Sequence, residues 1–386
     1  MDFYGFPRPD GQVGARNFIG ILPAVGCVNA VALQIERLIK GTRAITHHQG
    51  CLHPPQDTEQ VTRTLINLGK NPNCAGVLVV GLGCEMVKIE EVVEGIRESK
   101  KPVDAVVVHE LGGMLETINK GAQIAADMVM EASKIRREKS GFDKLVFCTK
   151  CGSSDTTSGL SSNLVVGEVC KMLTDMGGTF IQGEVCDIMG GEYALKDLCV
   201  NPKEGDKIVG FVKDLYERGL AVGADTRGCQ MTAGNVAGGL TTLVEKAMGA
   251  NSKGQMVPIQ SALLYGERPQ CAGRHIMATP GHGFENLTGG AAGGSQLILF
   301  TTGRGAPNGH PVIPAVKICG NAKTNLTMKS HIDIDVASVI NETETVRQAG
   351  ERLFELAVDV ASGRMTKAEI LNFDGHMEIL IKGPVM

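Results

Sequence analysis

Cysteine recurs in one local setting along the first part of this chain. Cys27, Cys51 and Cys84 each directly follow a glycine and lie just past a short run of β-forming residues. If those runs are neighbouring parallel strands, their carboxyl ends meet at one sheet edge, where α/β proteins bind ligands. Thiolates are soft ligands that select zinc, copper(I) or iron–sulfur clusters. We therefore predict a metal site at this edge, with Cys151, at the end of a later strand, as a fourth ligand.

The alternative interpretation treats these cysteines as small residues at tight turns. Their spacing lacks the two Cys-x₂-Cys pairs of a zinc finger, and Cys148 with Cys151 forms a single such pair. Glu85, Glu184 and His47 could add oxygen or nitrogen ligands. The pair His47-His48 is predicted to end a strand, where alternation directs one imidazole toward the pocket and the other into packing.

Glycine-rich loops follow several predicted strands in the second half of the chain. Residues 234–246 form a loop that leads into a helix, whose free N–H groups bind carboxylate or phosphate. This segment matches neither the P-loop nor the dinucleotide-binding signature. Residues 300–305 place hydroxyls and a guanidinium between glycines, which suits carboxylate recognition, although a tight turn with a surface arginine is the alternative. The predicted substrate-binding residues are Arg304, Asn235, Ser158, Asp155 and Thr302.

Apolar periodicity predicts an α/β fold with two Rossmann-like parallel-sheet domains, helices on both faces, and an unusual second domain. Residues 1–140 form the predicted N-terminal domain, a candidate for dimerisation, and residues 141–386 form the predicted C-terminal catalytic domain. The predicted strands are 18–25, 44–48, 76–80, 103–108, 144–147, 179–182, 275–278, 297–301 and 316–318. The predicted helices are 30–39, 57–68, 87–98, 121–135, 165–175 and 344–360. The glycine-rich region 223–254 is predicted to be a ligand-handling loop with a short helix.

Composition limits the classes of function. The 386 residues are 43% hydrophobic and 21% charged, which excludes a disordered chain. The formal net charge of −4 supplies no basic excess for nucleic acid or an anionic membrane, and we expect neither as a partner. No signal peptide or membrane-spanning apolar run is visible, so we expect a cytoplasmic protein whose cysteines are free for metal or catalysis.

Together these segments resemble the altronate/galactarate dehydratase family over nearly the whole chain. The matching stretches are DGQVGARN at 10–17, His47 with Gly50-Cys51, GLGCE at 81–85, the CG-S-D…SG segment at 151–159, GN..GGLTT..EK at 234–246, PG at 280–281, FTTGRG at 300–305 and DID at 333–335. Two departures lie near the expected site. Ser153 stands where the family has glycine in CGGSD, and Asn163-Leu164-Val165 replaces Asn-Pro-Ala. These departures leave the substrate open.

The resemblance implies iron dependence, activity under reducing conditions and removal of a group β to a carboxylate. It also implies a dimerising domain and an unusual Rossmann-like C-terminal domain. The family's sugar-acid dehydratases carry an additional small N-terminal domain, which is not seen before the catalytic portion here. We therefore expect a likeness to the large subunit of the family's two-chain sulfolactate sulfo-lyases, with a small partner subunit supplying that domain and a homodimer of the large subunit.

The resulting hypothesis is an iron-dependent lyase that removes sulfite or water from a small anionic 2-hydroxy carboxylate. His47 or Lys246 would take the α proton, and Glu184 is the third catalytic candidate. The predicted metal ligands are Cys27, Cys51, Cys84 and Cys151, with a single Fe²⁺ ion and an iron–sulfur cluster both open. Three alternatives remain: a sugar-acid dehydratase acting on altronate or galactarate, a nicotinamide-dependent oxidoreductase, and a non-catalytic subunit that binds a small acid.

Overall fold

The computed structural model describes residues 2–254 and 256–384. Within them the strands are β1 (Phe3–Pro7), β2 (Val13–Gly14), β3 (Phe18–Pro23), β4 (Thr42–Ala44), β5 (Cys74–Gly81), β6 (Val103–Val107), β7 (Glu138–Ser140), β8 (Val146–Gly152), β9 (Thr179–Gln182), β10 (Ile259–Leu263), β11 (Gly273–Met277), β12 (Leu297–Thr302), β13 (Ala315–Cys319) and β14 (Ile334–Asp335).

Helices connect most of these strands, as expected for parallel crossovers. They are α1 (Asn29–Leu38), α2 (Pro55–Gly69), α3 (Ile89–Arg97), α4 (Val108–Leu111), α5 (Met114–Ala132), α6 (Asn163–Asp175), α7 (Glu192–Lys196), α8 (Pro202–Ala221), α9 (Thr226–Cys229), α10 (Ala233–Ala237), α11 (Leu243–Asn251), α12 (Gly283–Ala292), α13 (Ala322–Thr327), α14 (Val346–Ala361) and α15 (Lys367–Ile370). None of the helices in the described ranges combines the length and apolarity needed to cross a membrane.

The first parallel sheet has the strand order β4-β3-β5-β6. Its central strand β5 is buried at every position, because helices cover both faces. Val77 and Val79 pack with α2 and α3, whereas Leu78 and Val80 pack with α1 and α5. The valine and leucine side chains of β5 therefore contribute to two hydrophobic clusters, one on each face of the sheet.

The second parallel sheet has seven strands in the order β10-β11-β9-β8-β12-β13-β14. The chain leaves β8 for β9 on one side and later returns to β12 on the other side. This makes β8 the topological switch point, and in open α/β sheets the ligand crevice lies at the carboxyl ends of the strands there. The fold thus confirms the expected α/β class with parallel sheets flanked by helices.

The two parallel sheets share one hydrophobic core. It contains Leu65 of α2 and Val79 of β5 together with Met277 of β11, Leu287 of α12 and Ile298 of β12. A small antiparallel sheet, in the order β2-β1-β7, joins the ends of the first part of the chain. The proposed boundary at residue 140 thus falls at the end of β7, between two sheets that are packed against each other.

Candidate active site

A polar cleft of about 770 Å³ lies at the carboxyl ends of β8, β9 and β12. Lys150, Lys246 and Arg304 line it, and Asp187 is the one carboxylate among its described lining residues. A second cavity of about 340 Å³ adjoins it and shares Cys151, Asp187 and Lys246. The cleft is therefore mainly cationic, which suits a small anionic ligand.

Glu184 binds two buried lysines behind the cleft. Its carboxylate forms an ion pair with Lys150, lies 3.1 Å from Lys253 Nζ and accepts the Cys151 backbone N–H at 2.7 Å. Glu184 itself adopts φ +70°, a left-handed conformation that turns the chain directly after β9. Burial is the largest effect on the pKa of Lys150 and lowers it, but Glu184, Cys151 and Asp187 together raise that pKa above its usual value. Both lysines consequently keep their charge in a dry environment.

Asp187 is held between a thiol and an ammonium group. Cys151 Sγ donates to Asp187 Oδ2 at 2.8 Å, and Lys246 Nζ lies 3.2 Å from Asp187 Oδ1. Burial and the nearby carboxylates raise the pKa of Cys151 to about 12, so its thiol keeps the proton. Burial is the largest effect on the pKa of Lys246 and lowers it, but Asp187 together with Cys151 and Cys186 raises that pKa above its usual value. Lys246 therefore holds its proton in this arrangement, whereas a lysine that acts as a base needs a lowered pKa.

Arg304 and Asn235 meet at the rim of the cleft. Arg304 Nη1 donates to the Gly234 carbonyl at 3.2 Å, and among the described residues no carboxylate pairs with this exposed guanidinium. Asn235 is the third residue of α10, forms a capping box with Thr232, which precedes the helix, and donates to the Ser154 carbonyl at 2.8 Å. The segment predicted as an anion-binding loop, 234–246, is thus largely helical, since α10 ends at Ala237 and α11 begins at Leu243. Its role in binding an anion stays a prediction.

The other predicted substrate-binding residues are further from the cleft. Asp155 accepts from Thr157, Ser158 and the Asn321 amide, and thereby joins its own turn to the segment after β13. Asp155 and Ser158 line the adjoining cavity, while Thr302 is buried, accepts the Gly305 N–H and lines neither cavity.

Three of the four predicted thiols lie on neighbouring loops of the first sheet. Cys27 and Cys84 are exposed and Cys51 is half-buried, and backbone hydrogen bonds connect the loops after β3, β4 and β5 that carry them. In the described part of the chain, no three of the four predicted thiols lie within 4.8 Å of one another, as direct ligands of one ion would. Cys151 lies instead in the second sheet, with its sulfur near Glu184 and Asp187. The four-cysteine metal site, as a single ion or a cluster, stays a prediction.

His47 is held inside the first domain. The expectation that it ends a strand is wrong, because β4 stops at Ala44 and the histidine lies in the following loop. Its Nε2 is 2.7 Å from the Pro23 carbonyl, and its Nδ1 accepts the Gln49 N–H. Burial lowers the pKa of His47 to about 4. Both ring nitrogens therefore have backbone partners, and His47 does not line the cleft.

The ligand atoms of Cys151, Glu184 and Asp187 lie within 4.8 Å of one another, close enough to hold a metal ion. The charges around them are less suitable, because Lys150 and Lys253 already occupy Glu184 and Lys246 occupies Asp187. A divalent ion would have to displace these ammonium groups and remain close to them. The donor set thus matches a metal, but its electrostatic environment does not.

Sequence reasoning missed Lys150, Asp187 and Lys253. Lys150 was visible as a charged residue inside an otherwise apolar strand, where an unpaired charge is expensive and a partner is required. Asp187 and Lys253 carried no comparable signal, since a turn and a helix end that are distant in sequence meet only in the folded chain.

Two family models together match most of the chain. One, described as "D-galactarate/Altronate dehydratase, C-terminal", matches residues 142–384, and the other, described as "D-galactarate dehydratase/Altronate hydrolase, second domain", matches residues 5–133. These ranges coincide approximately with the two parallel sheets.

Three relatives match nearly the full length of this chain. The (2R)-sulfolactate sulfo-lyase subunit beta of Chromohalobacter salexigens is 36% identical, over 98% of this chain and 96% of that protein. The altronate dehydratase of Escherichia coli is 31% identical, over 95% of this chain and 75% of that protein. The galactarate dehydratase (L-threo-forming) of E. coli is 30% identical, over 94% and 73%. The chain belongs to the D-galactarate/altronate dehydratase family and is an enzyme of the lyase class.

Proposed function

We propose that the chain is the large subunit of a lyase that removes sulfite from a sulfolactate-like 2-hydroxy carboxylate. The observation that carries the proposal is the cationic cleft at the β8 switch point, with Lys150, Lys246 and an unpaired Arg304. A sulfonated hydroxy acid carries two negative charges, and this cleft offers three positive ones against one carboxylate. The near-complete match with a sulfo-lyase beta subunit supports this choice of leaving group.

The substrate carboxylate binds Arg304 and the loop that precedes α10. A guanidinium presents two parallel N–H groups to a carboxylate, so it fixes orientation as well as charge. The sulfonate end then faces Lys150 and Lys246 deeper in the cleft. Their ammonium groups stabilise the negative charge that develops on the departing sulfite and on the enolate.

Asp187 accepts the α proton in this proposal. In the free chain Lys246 Nζ lies 3.2 Å from Asp187 Oδ1. Burial favours the protonated form of Asp187, but the surrounding lysines together outweigh burial and lower the pKa of this carboxyl group. An anionic substrate that draws Lys246 toward itself weakens this stabilisation, and the basicity of Asp187 rises. Lys246 is thus assigned to the departing group, and Glu184 to holding Lys150 and Lys253 in place.

A divalent metal ion, iron in keeping with the family resemblance, would act as a Lewis acid on the hydroxyl or carboxylate oxygens of the substrate. Cys151, Glu184 and Asp187 could supply ligand atoms, although lysines already occupy their carboxylates. All twelve cysteines are unpaired, which suits the reducing cytoplasm that we propose for the enzyme. We also propose a small partner subunit, since a relative matched over 98% of this chain is a beta subunit, and a homodimer of this chain.

The substrate is tested by an anaerobic assay with added Fe²⁺, performed with and without a small subunit of the family. We expect sulfite release from (2R)-sulfolactate and little keto-acid formation from altronate or galactarate. Turnover of altronate without sulfite release would replace the proposal with the second candidate, a sugar-acid dehydratase, which the 31% identity to altronate dehydratase favours. No turnover of any acid under all conditions would contradict both.

A further inference from the structure

A second group of metal-ligating side chains lies beside the cleft and belongs to neither proposed thiol site. His282 Nδ1 is 3.0 Å from Glu378 Oε2, and His376 Nε2 is 3.1 Å from Glu378 Oε1. Ligand atoms of His282, Glu285 and Glu378 all lie within 4.8 Å of one another. The exposed His48 is near enough that the charges of Glu378, His376 and His282 act on it. We call these five residues the histidine cluster.

Three separate segments build the histidine cluster. His282 and Glu285 lie at the start of α12, and His48 lies in the loop after β4. The chain after α15 is extended, so alternate side chains face opposite ways: Met377 and Ile379 are fully buried in the shared core. His376 and Glu378 consequently face the start of α12, and the edge of the Phe284 ring packs against His376 at a centroid distance of 4.6 Å.

The charges favour a cation in the histidine cluster more than at Cys151. Among residues 2–254 and 256–384, neither Glu285 nor Glu378 pairs with a lysine or arginine, and the recorded partners of Glu378 are imidazoles. By contrast, Glu184 and Asp187 already hold three ammonium groups. Two imidazoles with one or two carboxylates and open positions are the ligand set of mononuclear iron(II) sites, and imidazole also suits zinc, copper and nickel.

His282 links the histidine cluster to the proposed chemistry, because it lines the cleft together with Lys150 and Arg304. We propose that His282, Glu285 and Glu378 bind a divalent transition-metal ion at the mouth of the cleft, with His376, whose Nε2 lies 3.1 Å from Glu378 Oε1, as a fourth donor. An ion at this position faces the oxygens of a bound hydroxy acid. This inference rests on the proposed function for the identity of that acid, whereas the metal site itself depends only on the four donor side chains.

Titration of the metal-free chain with Co²⁺ and Fe²⁺ under anaerobic conditions tests the site. We expect about one ion per chain, with visible cobalt bands and without the near-ultraviolet charge-transfer band of thiolate ligation. His282→Ala and Glu378→Gln should each weaken binding by at least about 100-fold, since even groups that only support a ligand contribute 10–100-fold. The side chains of His282 and Glu378 are 57% and 28% exposed, so these variants should fold, which circular dichroism checks.

Matched controls separate the outcomes. His331→Ala, Cys84→Ser and Cys151→Ser should bind cobalt like the wild-type chain. Unchanged binding in His282→Ala and Glu378→Gln, a thiolate band that Cys84→Ser or Cys151→Ser removes, or no cobalt binding by the wild-type chain would each overturn the inference. An active enzyme whose metal binding survives both cluster variants overturns this inference alone. A chain that loses cobalt as expected in those variants but eliminates sulfite from no acid overturns the proposed function alone.

Discussion

Glu184 shows how much of the site depends on one buried charge. It is fully buried and compensates Lys150 and Lys253, which are themselves buried. Its carboxylate lies behind Cys151 and does not line the cleft, so it is a positioning residue for the lysine that does. Its effect on the reaction therefore passes through the stability and orientation of Lys150.

Replacing Glu184 with Gln should lower the free energy of unfolding by about 3–5 kcal/mol, because it leaves two buried ammonium groups without their counter-ion. Urea denaturation followed by circular dichroism measures this loss. Glu98→Gln is the matched control, since it breaks the exposed pair with Lys70 and should cost no more than about 1 kcal/mol. Equal small losses in both variants would show that the buried lysines do not need Glu184.

Single residues were predicted with uneven success. Arg304, Asn235, Lys246 and Cys151 were chosen from local pattern and do line the cleft. The glycines and hydroxyl residues around these positions do not indicate which way a given side chain faces. Thr302, which was predicted to bind substrate, is turned inward. The partners that decide the charge of the site come from distant segments, so no local pattern contains them.

At the scale of elements, parallel strands were the easiest to predict. The strand at 179–182 is found with the predicted bounds, and β3, β5, β6 and β12 differ by one or two residues at their ends. Apart from the edge strand β6, these strands are buried at nearly every position, so they appear in the sequence as mainly apolar runs. The strand predicted at 144–147 is found at Val146–Gly152, because buried ion pairs let it continue through polar residues. The helix α8 and the strand β10 were missed, since polar and glycine-rich surroundings masked their periodicity.

The glycines before the cysteines allow neighbouring loops to pack closely against one another. Gly26 lies against the backbone of His47 and His48, and Gly83 lies against His109. The family's glycine at position 153 also has a structural meaning, because Ser153 adopts φ +51° here. A non-glycine residue in the left-handed region costs about 1–2 kcal/mol, so this chain keeps a small strain beside its cleft.

Gly50→Ala should destabilise the first sheet by about 2–4 kcal/mol, from backbone strain and overpacking together. Gly50 has φ +118°, and an added Cβ would lie 2.3 Å from the Ala24 carbonyl oxygen. Gly11→Ala is the control, with φ +84° and no atom within 4 Å of the added Cβ, and it should cost about 1 kcal/mol. Chemical denaturation compares them, and equal costs would mean that the loops can separate freely.

At the scale of the whole molecule, the shared core joins the two parallel sheets. Buried hydrogen bonds of Asn73 add to this connection. Its amide nitrogen donates to the Gln296 and Val312 carbonyls, and its amide oxygen accepts the Ala15 N–H. His310, also buried, accepts the Val312 N–H through Nδ1. We therefore expect both sheets to unfold in one transition, although the sequence pattern alone suggested two separate cores.

Acid should destabilise this core through its neutral histidines. Burial lowers the pKa of His310 to about 3, whereas an unfolded histidine titrates near 6.5. Between these two pKa values the unfolded state binds more protons than the folded state. The free energy of unfolding therefore falls as the pH drops below about 6.5. His310→Gln should lose about 3 kcal/mol less than the wild-type chain between pH 7 and 4, as measured by urea unfolding at each pH. Identical pH profiles would show that His310 is protonated in the fold.

The central claim is that elimination occurs in the cleft at the carboxyl end of β8, with Asp187 as the proton acceptor. The most direct measurement is the rate of sulfite release from (2R)-sulfolactate by Asp187→Asn, alongside the affinity for that acid and with Cys84→Ser as a control. We predict that Asp187→Asn loses about 10²–10⁴-fold in kcat while still binding the acid, and that Cys84→Ser stays active. Wild-type turnover by Asp187→Asn, or loss of activity only in Cys84→Ser, would contradict the account.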